Sequence, residues 1–210
     1  SGKLKGTGVL LSTHVNAKRT PDLMIWLPAL RKIRRLPGPS QGDALNGSIL
    51  TYGEVFLRRP EHESHQLLGR KVFGKCLNVM KIKKKKQTRY TKNLPVSQCA
   101  HKDKTVYQLR SETLFDDWWY DYRISYIDIS TFAMYRTIYF KDSKHIKTID
   151  IDWDKTDHPD PRVLSPNFIY AKSSITDAES FLVVPKETVD WNTDIKNEFW
   201  SERTLKRIKR

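Results

Sequence analysis

The chain has 210 residues and sets 38 Lys and Arg against 24 Asp and Glu, a formal charge of +14. That balance points to an anionic partner, whether nucleic acid, lipid headgroups or an acidic protein, and says nothing about the fold. A hydrophobic share of 38% is enough for a core, no run of about twenty apolar residues offers a membrane-spanning helix, and no charged-then-apolar leader opens the chain.

Taken in order, the chain reads as strand after strand. Residues 4–11 form the first expected strand, with Gly6 and Gly8 marking a bend or a close backbone approach. Residues 14–22 are polar and contain Pro21, which suits a turn; 23–27 make a short apolar strand that ends at Pro28. From Arg31 to Leu36 basic and apolar side chains alternate imperfectly, so a strand can resume until Pro37, Gly38 and Pro39 stop it. Residues 40–55 are then irregular. Loops of that length inside a domain are usually functional or disordered, and Leu45, Leu50 and Tyr52 supply apolar material that a disordered segment lacks.

Residues 52–57 read as a helical turn or a short strand, and 61–66 as a charged, histidine-rich surface unit. Two strands, or one bent at Gly69 and Gly74, occupy 67–80 and run into the basic tract at 81–92. Residues 93–104 are turn-like, 106–114 alternate as a strand, and the DDWWY cluster at 116–120 sits at a turn. The clearest periodicity lies at 122–153, where three alternating runs separated by turn residues predict an antiparallel meander. Residues 154–166 form a Pro/Asp-rich loop, 168–171 and 181–184 are further strands, and 193–210 place Ile195, Phe199, Leu205 and Ile208 at helical spacing before a basic finish. With no internal repeat and no composition break, a single domain over 1–210 is expected.

Motifs that carry chemistry are sparse. His62 and His65 with Glu61 and Glu63 could hold a metal, but their spacing matches no named site, and a solvated loop fits them as well. Cys99 beside His101 suggests an activated thiol only if a third group and a cleft join them. Alternatively Cys76 and Cys99 pair with each other in an oxidising compartment, or stay as free buried thiols. No Gly-rich phosphate cradle, nucleophile elbow or zinc-protease helix occurs, so no catalytic residue, metal or cofactor is assigned and the chain does not read as an enzyme. The basic tract, with Lys83, Lys84 and Lys85 at its centre, fits a solvated hairpin tip, a docking surface for an anionic membrane or partner protein, or a phosphate-binding strip on which Tyr90 stacks a base. Without a recognised nucleic-acid motif the last is the least favoured.

The stretch WLPALRKIRR, followed by GDALNGS and TYGEV, resembles the outer-membrane lipoprotein-sorting proteins of the LolA-like superfamily. The branch it resembles carries a Trp/Tyr-Leu-Pro, an Arg-rich strand and a Gly-Asp to Gly-Ser to Tyr run. Trp26, Leu27, Pro28, Arg31, Arg34, Arg35, Gly42, Asp43, Gly47, Ser48 and Tyr52 match that pattern. The meander's FKDSKHIKT and the ending NEFWSERTLKR are similar to the corresponding family segments. Ile49 and Gly53 depart from it, standing where the branch has acids.

The resemblance implies a mainly β fold: an incomplete, half-open antiparallel β-barrel, LolA/LolB-like, with a few short helices or loops covering its concave face. It also implies that the family's N-terminal helix and first strands precede the point where this chain starts. The function implied is that of a periplasmic carrier, its signal peptide removed, which holds lipid or lipoprotein acyl chains in an apolar cavity. It would receive them from an inner-membrane transport complex and pass them to an outer-membrane acceptor. On that basis Trp26 and Leu27 form the cavity wall, while Leu45, Leu50, Tyr52, Val55 and Phe56 form its rim or lid. Arg31, Arg34 and Arg35 lie at the rim, pairing with Asp43 or meeting a headgroup or partner, as Lys83, Lys84 and Lys85 would. The alternatives are a non-catalytic partner-binding or sensing module on the same fold and a nucleic-acid-binding protein using the basic tract.

Overall fold

The computed structural model describes residues 6–16, 19–92, 94, 97–191 and 193–207. They fall into two compact units, one made of Ser1–Asp43 with Asp190–Arg210, the other of Ala44–Val189.

In the smaller unit β1 (Gly8–Ser12), β2 (Asp22–Leu27) and β3 (Lys32–Pro37) form an antiparallel three-stranded sheet in chain order. The turn from β2 to β3 starts at Pro28, whose fixed φ suits the first position of a short helical turn, and closes on Arg31 in the left-handed region at φ 49°. Gly38 follows β3 because its N–H reaches the Pro21 carbonyl at 2.8 Å. A Cβ at that position would lie 2.3 Å from the same oxygen, so no other residue fits there. The helix α1 (Glu202–Arg207) buries Leu205 and holds Glu202 against Arg35. It is shorter than the spacing over 193–210 predicts. A single 3-10 turn, Asn197–Phe199, precedes it, and Phe199 and Trp200 stay exposed, so the apolar spacing there is not turned toward a core. Ile208 and the basic finish from 208 to 210 lie outside the described residues, as do residues 4 and 5 of the first expected strand.

The larger unit is a seven-stranded antiparallel sheet: β4 (Glu63–Val72), β5 (Thr105–Thr113), β6 (Tyr122–Asp128), β7 (Met134–Lys141), β8 (Lys144–Lys155), β9 (Leu164–Ser173) and β10 (Glu179–Val183). Spatial order follows chain order from β4 to β10, so the sheet is a continuous meander that stays open rather than closing into a barrel. The β7–β8 hairpin turns on Asp142 and Ser143, both at positive φ (47° and 60°). This is the primed-turn geometry that matches strand twist, and here it is made without glycine.

Because successive side chains point to opposite faces of a strand, the register sorts residues into two layers. On one face Thr137 and Tyr139 of β7, Lys147, Ile149 and Ile151 of β8, and Ile169 and Ala171 of β9 line up. Leu50 and the DDWWY aromatics cover this part of the face and complete its core. On the other face Arg136 pairs with Asp150, and the excursion between β4 and β5 packs there, closed by a disulfide between Cys76 and Cys99. The bond settles the alternatives left open for these cysteines and removes Cys99 as an activated thiol. His101 instead donates to or accepts from Asp152 at 2.9 Å and stacks on Tyr135, in a second apolar cluster with Phe73, Leu77 and Val106.

Two further expectations hold only in part. Glu61, Ser64, His65 and Gln66 are exposed, as a surface unit at 61–66 requires, but Glu63 opens β4 with only 5% of its surface exposed and His62 is buried beside it, because Arg123 and Tyr120, distant in the chain, meet the Glu63 carboxylate. Of the two alternatives for residues 67–80, the single bent strand is the nearer: β4 runs once from Glu63 and bulges between Leu67 and Gly69, but it ends at Val72.

Candidate functional site

The site is built where the irregular segment after Asp43 crosses the face of the larger sheet. Ala44 bridges to Thr51, and the Leu45 N–H donates to the Leu50 carbonyl at 2.8 Å, closing a small loop. The Ile49 N–H donates to Ser180 Oγ on β10 at 3.0 Å. Leu50, 2% exposed, is driven into the core against Tyr139, Ile149, Ile151 and Ile169. One π-helical turn, Gly53–Leu57, follows. Its start is fixed reciprocally: the Thr51 N–H donates to Glu54 Oε2 at 2.7 Å, and the Glu54 N–H donates to Thr51 Oγ1 at 3.3 Å. That is a capping box, signalled in the sequence by Thr-x-x-Glu.

Under this turn lies a network of buried charge. Lys147 Nζ donates to the Ile49 carbonyl at 2.8 Å and to Glu54 Oε1 at 3.0 Å, and sits 4.1 Å above the Trp119 ring. Arg123 grips Glu63 through Nε at 2.8 Å and Nη2 at 2.6 Å, while its Nη1 donates to Ser125 Oγ at 2.7 Å. Tyr120 Oη donates to the same Glu63 at 2.9 Å. Arg58 Nη2 donates to Tyr139 Oη at 2.8 Å, and its guanidinium lies over the Tyr139 and Tyr120 rings, at 5.4 and 5.7 Å from their centroids.

Burial favours neutral forms, and neighbours oppose it. Burial pushes the Glu63 carboxyl up, but the hydrogen bonds and charge of Arg123, helped by Arg58 and Tyr120, outweigh it and hold Glu63 below the usual glutamate range. For Lys147, burial wins over the attraction of Glu54, and the ammonium is held below the usual lysine value. Burial, with Glu54 adding, pushes the Tyr139 phenol up to about 12.

Beside this network a pocket of about 610 Å³ opens on the same face of the sheet. Val55 and Phe56 of the turn, Leu109 of β5 and Met134 of β7 line it together with the charged side chains of Arg58, Glu63 and Arg123. The arrangement can take an apolar body and present it with fixed polar groups, which is the usual character of a small-molecule site. His65, which also lines the pocket, lies 2.9 Å from Ser111 Oγ, but that hydroxyl is fully buried and does not reach the pocket, and the carboxylates of Glu54 and Glu63 are bound to Lys147 and Arg123.

The structure distributes the sequence-derived site residues unevenly. Val55 and Phe56 line the pocket; Leu45 and Tyr52 are half-buried nearby in the chain, and Leu50 is a core residue. Trp26 and Leu27 are half-buried in β2 of the smaller unit. Arg31 and Arg35 line a groove of about 390 Å³ there with Lys32, Ile33, Glu202 and Lys206, while Arg34 is exposed. The expected pairing of these arginines with Asp43 is corrected: Arg35 takes Glu202, and the Asp43 carboxylate accepts from the Ser40 N–H at 2.7 Å. Lys83, Lys84 and Lys85 are exposed around a short 3-10 turn. His65 serves Ser111 and the Pro60 carbonyl, and Glu63 serves Arg123, so neither is left for a metal. Sequence reasoning missed Arg58, Leu109, Arg123, Met134 and Lys147, and considered Glu63 only as a metal ligand. Only Glu54 had a local signal, its capping-box spacing from Thr51.

Comparison with solved structures bears on the fold. The chain superposes on a crystal structure of a candidate outer membrane lipoprotein-sorting protein domain from Vibrio parahaemolyticus with a TM-score of 0.69 and 14% identity, covering 99% of this chain and 74% of that one. The likeness is one of fold. A protein of the DUF1329 family from Desulfovibrio piger matches with a TM-score of 0.66 and 13% identity, over 98% of this chain and 73% of that one. A LolA superfamily protein from Nitrosomonas europaea aligns over 93% of this chain at 13% identity, with a TM-score of 0.47 that is too low to add weight. A family model described as an uncharacterized protein matches residues 2–98. No curated protein matches the chain. The resemblance implies a mainly β, half-open antiparallel barrel with a few short helices; the protein is mainly β with few short helices, and its antiparallel sheet stays open rather than closing into a barrel.

Proposed function

We propose that the chain is a non-catalytic periplasmic carrier that shelters the acyl chain of a lipid or lipoprotein and passes it toward the outer membrane. The observation that carries this reading is the pocket on the face of the open sheet, walled by Val55, Phe56, Leu109 and Met134 beneath a short turn. Alkyl groups transferred into such a wall gain about 0.8 kcal/mol per buried CH₂, and a turn held by a few polar contacts can part without disturbing the sheet. The likeness to a candidate lipoprotein-sorting domain supports the same reading. Val55 and Phe56 act as the movable wall, with Leu45 and Tyr52 on the flanking segment and Leu50 as its anchor in the core.

Titration of a fluorescent fatty-acid analogue tests this. Saturable binding is expected, and Leu109→Arg should abolish it without lowering the thermal unfolding temperature greatly, since Leu109 is only half-buried. Absence of binding to the wild-type chain, or binding unchanged by Leu109→Arg, would overturn the reading.

A second reading, a docking module for an anionic surface or partner, is favoured by one observation. Lys83, Lys84, Lys85 and Lys86 are exposed, and among the described residues none has a carboxylate partner within salt-bridge distance. On this reading they face the partner's negative charge.

A further inference from the structure

The buried cations of the larger unit are not equally satisfied. Arg123 has a bidentate carboxylate and a serine hydroxyl, Arg136 has a bidentate carboxylate and the Cys76 carbonyl, and Lys147 has Glu54 and the Ile49 carbonyl. Arg58 is the exception among them. Its one hydrogen bond goes to the neutral Tyr139 hydroxyl, and no carboxylate among the described residues lies within ion-pair distance. The nearby carboxylates are already committed, Glu54 to Lys147 and Thr51, and Glu63 to Arg123 and Tyr120. Three cations therefore stand against two anions, which leaves one positive charge in excess, half-buried on the edge of the pocket.

A guanidinium has five donors in a rigid fork; Glu63 attracts Arg58 through space and favours its charged form, but no carboxylate accepts a hydrogen bond from it, and most of its donors are left without an acceptor among the described residues. The two tyrosine rings beneath it add cation–π attraction and fix the plane of the group. They cannot neutralise it.

We propose that Arg58 is the headgroup subsite of this pocket, and that the ligand is an amphiphile with one alkyl chain and one anionic head, of the class of a long-chain carboxylate or alkyl phosphate. This rests on the carrier reading and narrows it. The volume of about 610 Å³ falls within the range of roughly 300–1,000 Å³ that encloses one small ligand, so the pocket takes a single chain. Its alkyl tail lies along Val55, Phe56, Leu109 and Met134. Its head receives the unused N–H groups of Arg58, and the local charge then balances.

Competition against a fluorescent fatty-acid analogue, with palmitate, hexadecyl phosphate and hexadecanol below their aggregation limits, tests the proposal. Both anionic amphiphiles should displace the analogue at about tenfold lower concentration than the alcohol, as a charge-assisted hydrogen bond requires; whichever anion does so better identifies the natural head. Arg58→Gln should bring them to the level of the alcohol while leaving the alcohol unchanged, and Arg58→Lys should keep part of the preference. Equal displacement by palmitate and hexadecanol in the wild-type chain, or a preference that survives Arg58→Gln, would overturn the subsite and leave the carrier reading standing. Failure of all three to displace, or of the analogue to bind, would remove both. The wild-type comparison decides the matter even if Arg58→Gln folds poorly.

Discussion

Lys147 Nζ lies 3.0 Å from Glu54 Oε1, and the two side chains are almost fully withdrawn from solvent. This pair fastens the turn over the pocket to β8, so the segment that forms one wall of the site is held by a charge set 93 residues away in the chain. Breaking one member of a buried pair leaves the other uncompensated, at a cost of about 3–5 kcal/mol. Lys147→Met should therefore lower the urea unfolding midpoint markedly, and the double variant Lys147→Met with Glu54→Gln should recover part of the loss. A single variant as stable as the wild type would show that the pair does not hold the turn.

Acid should weaken the larger unit. Burial pushes Glu63, Asp128 and Asp152 up, but their hydrogen bonds, from Arg123, Tyr135 and His101 respectively, outweigh it and hold all three below their ordinary values. A carboxyl whose folded value is depressed contributes stability that is complete above its unfolded value and lost as pH falls through the folded one. Unfolding temperature should hold from neutrality down to the ordinary glutamate value of 4.5 and decline below it. Glu63→Gln should be less stable at neutral pH, because Arg123 loses its partner, yet show a shallower decline in acid. A decline equally steep in that variant would assign the acid sensitivity to other groups.

Removal of the Cys76–Cys99 bond should cost about 3 kcal/mol in the chain-entropy view, given the loop it closes. The sequence separation is 23. The loop it restrains also delivers Asn78 to Asp150 and Gln98 and His101 to Asp152. Cys76→Ser with Cys99→Ser should lower the unfolding temperature, and hydrogen exchange should rise first at 76–102. Uniform exchange across the sheet with no local rise would count against a loop that opens by itself.

If the lysine tract docks on an anionic surface, Lys83→Gln, Lys84→Gln and Lys85→Gln together should weaken binding to anionic lipid vesicles by about 1 kcal/mol per residue, with a strong dependence on salt. Stability should not change, because these side chains are exposed. Vesicle binding that is indifferent to the triple change and to salt would leave the tract as a solvated tip.

Alternation and turn chemistry are local, and they were enough to place β2, β3, β5 to β8 and the cores of β9 and β10, and hence an antiparallel β fold; that the sheet stays open was implied only by the family resemblance. The Trp-Leu-Pro and Gly-Asp to Gly-Ser run carried the resemblance that the structural comparison then matched at the level of fold. Of the residues that the resemblance placed at a rim or lid, Val55 and Phe56 line the pocket. What remained hidden was everything that depends on partners distant in the chain. Glu63 read as a surface acid because nothing near it in sequence shows that Arg123 and Tyr120 neutralise it. Arg58 read as one more basic residue because its two tyrosines lie far along the chain. The pairing of Arg35 with Glu202, like the choice between free and bonded cysteines, is likewise a matter of proximity across long stretches of chain. Side-chain period fixes which face a residue takes, but only the assembled sheet decides which charges meet, which are cancelled, and that Arg58 faces the pocket with no carboxylate bonded to it.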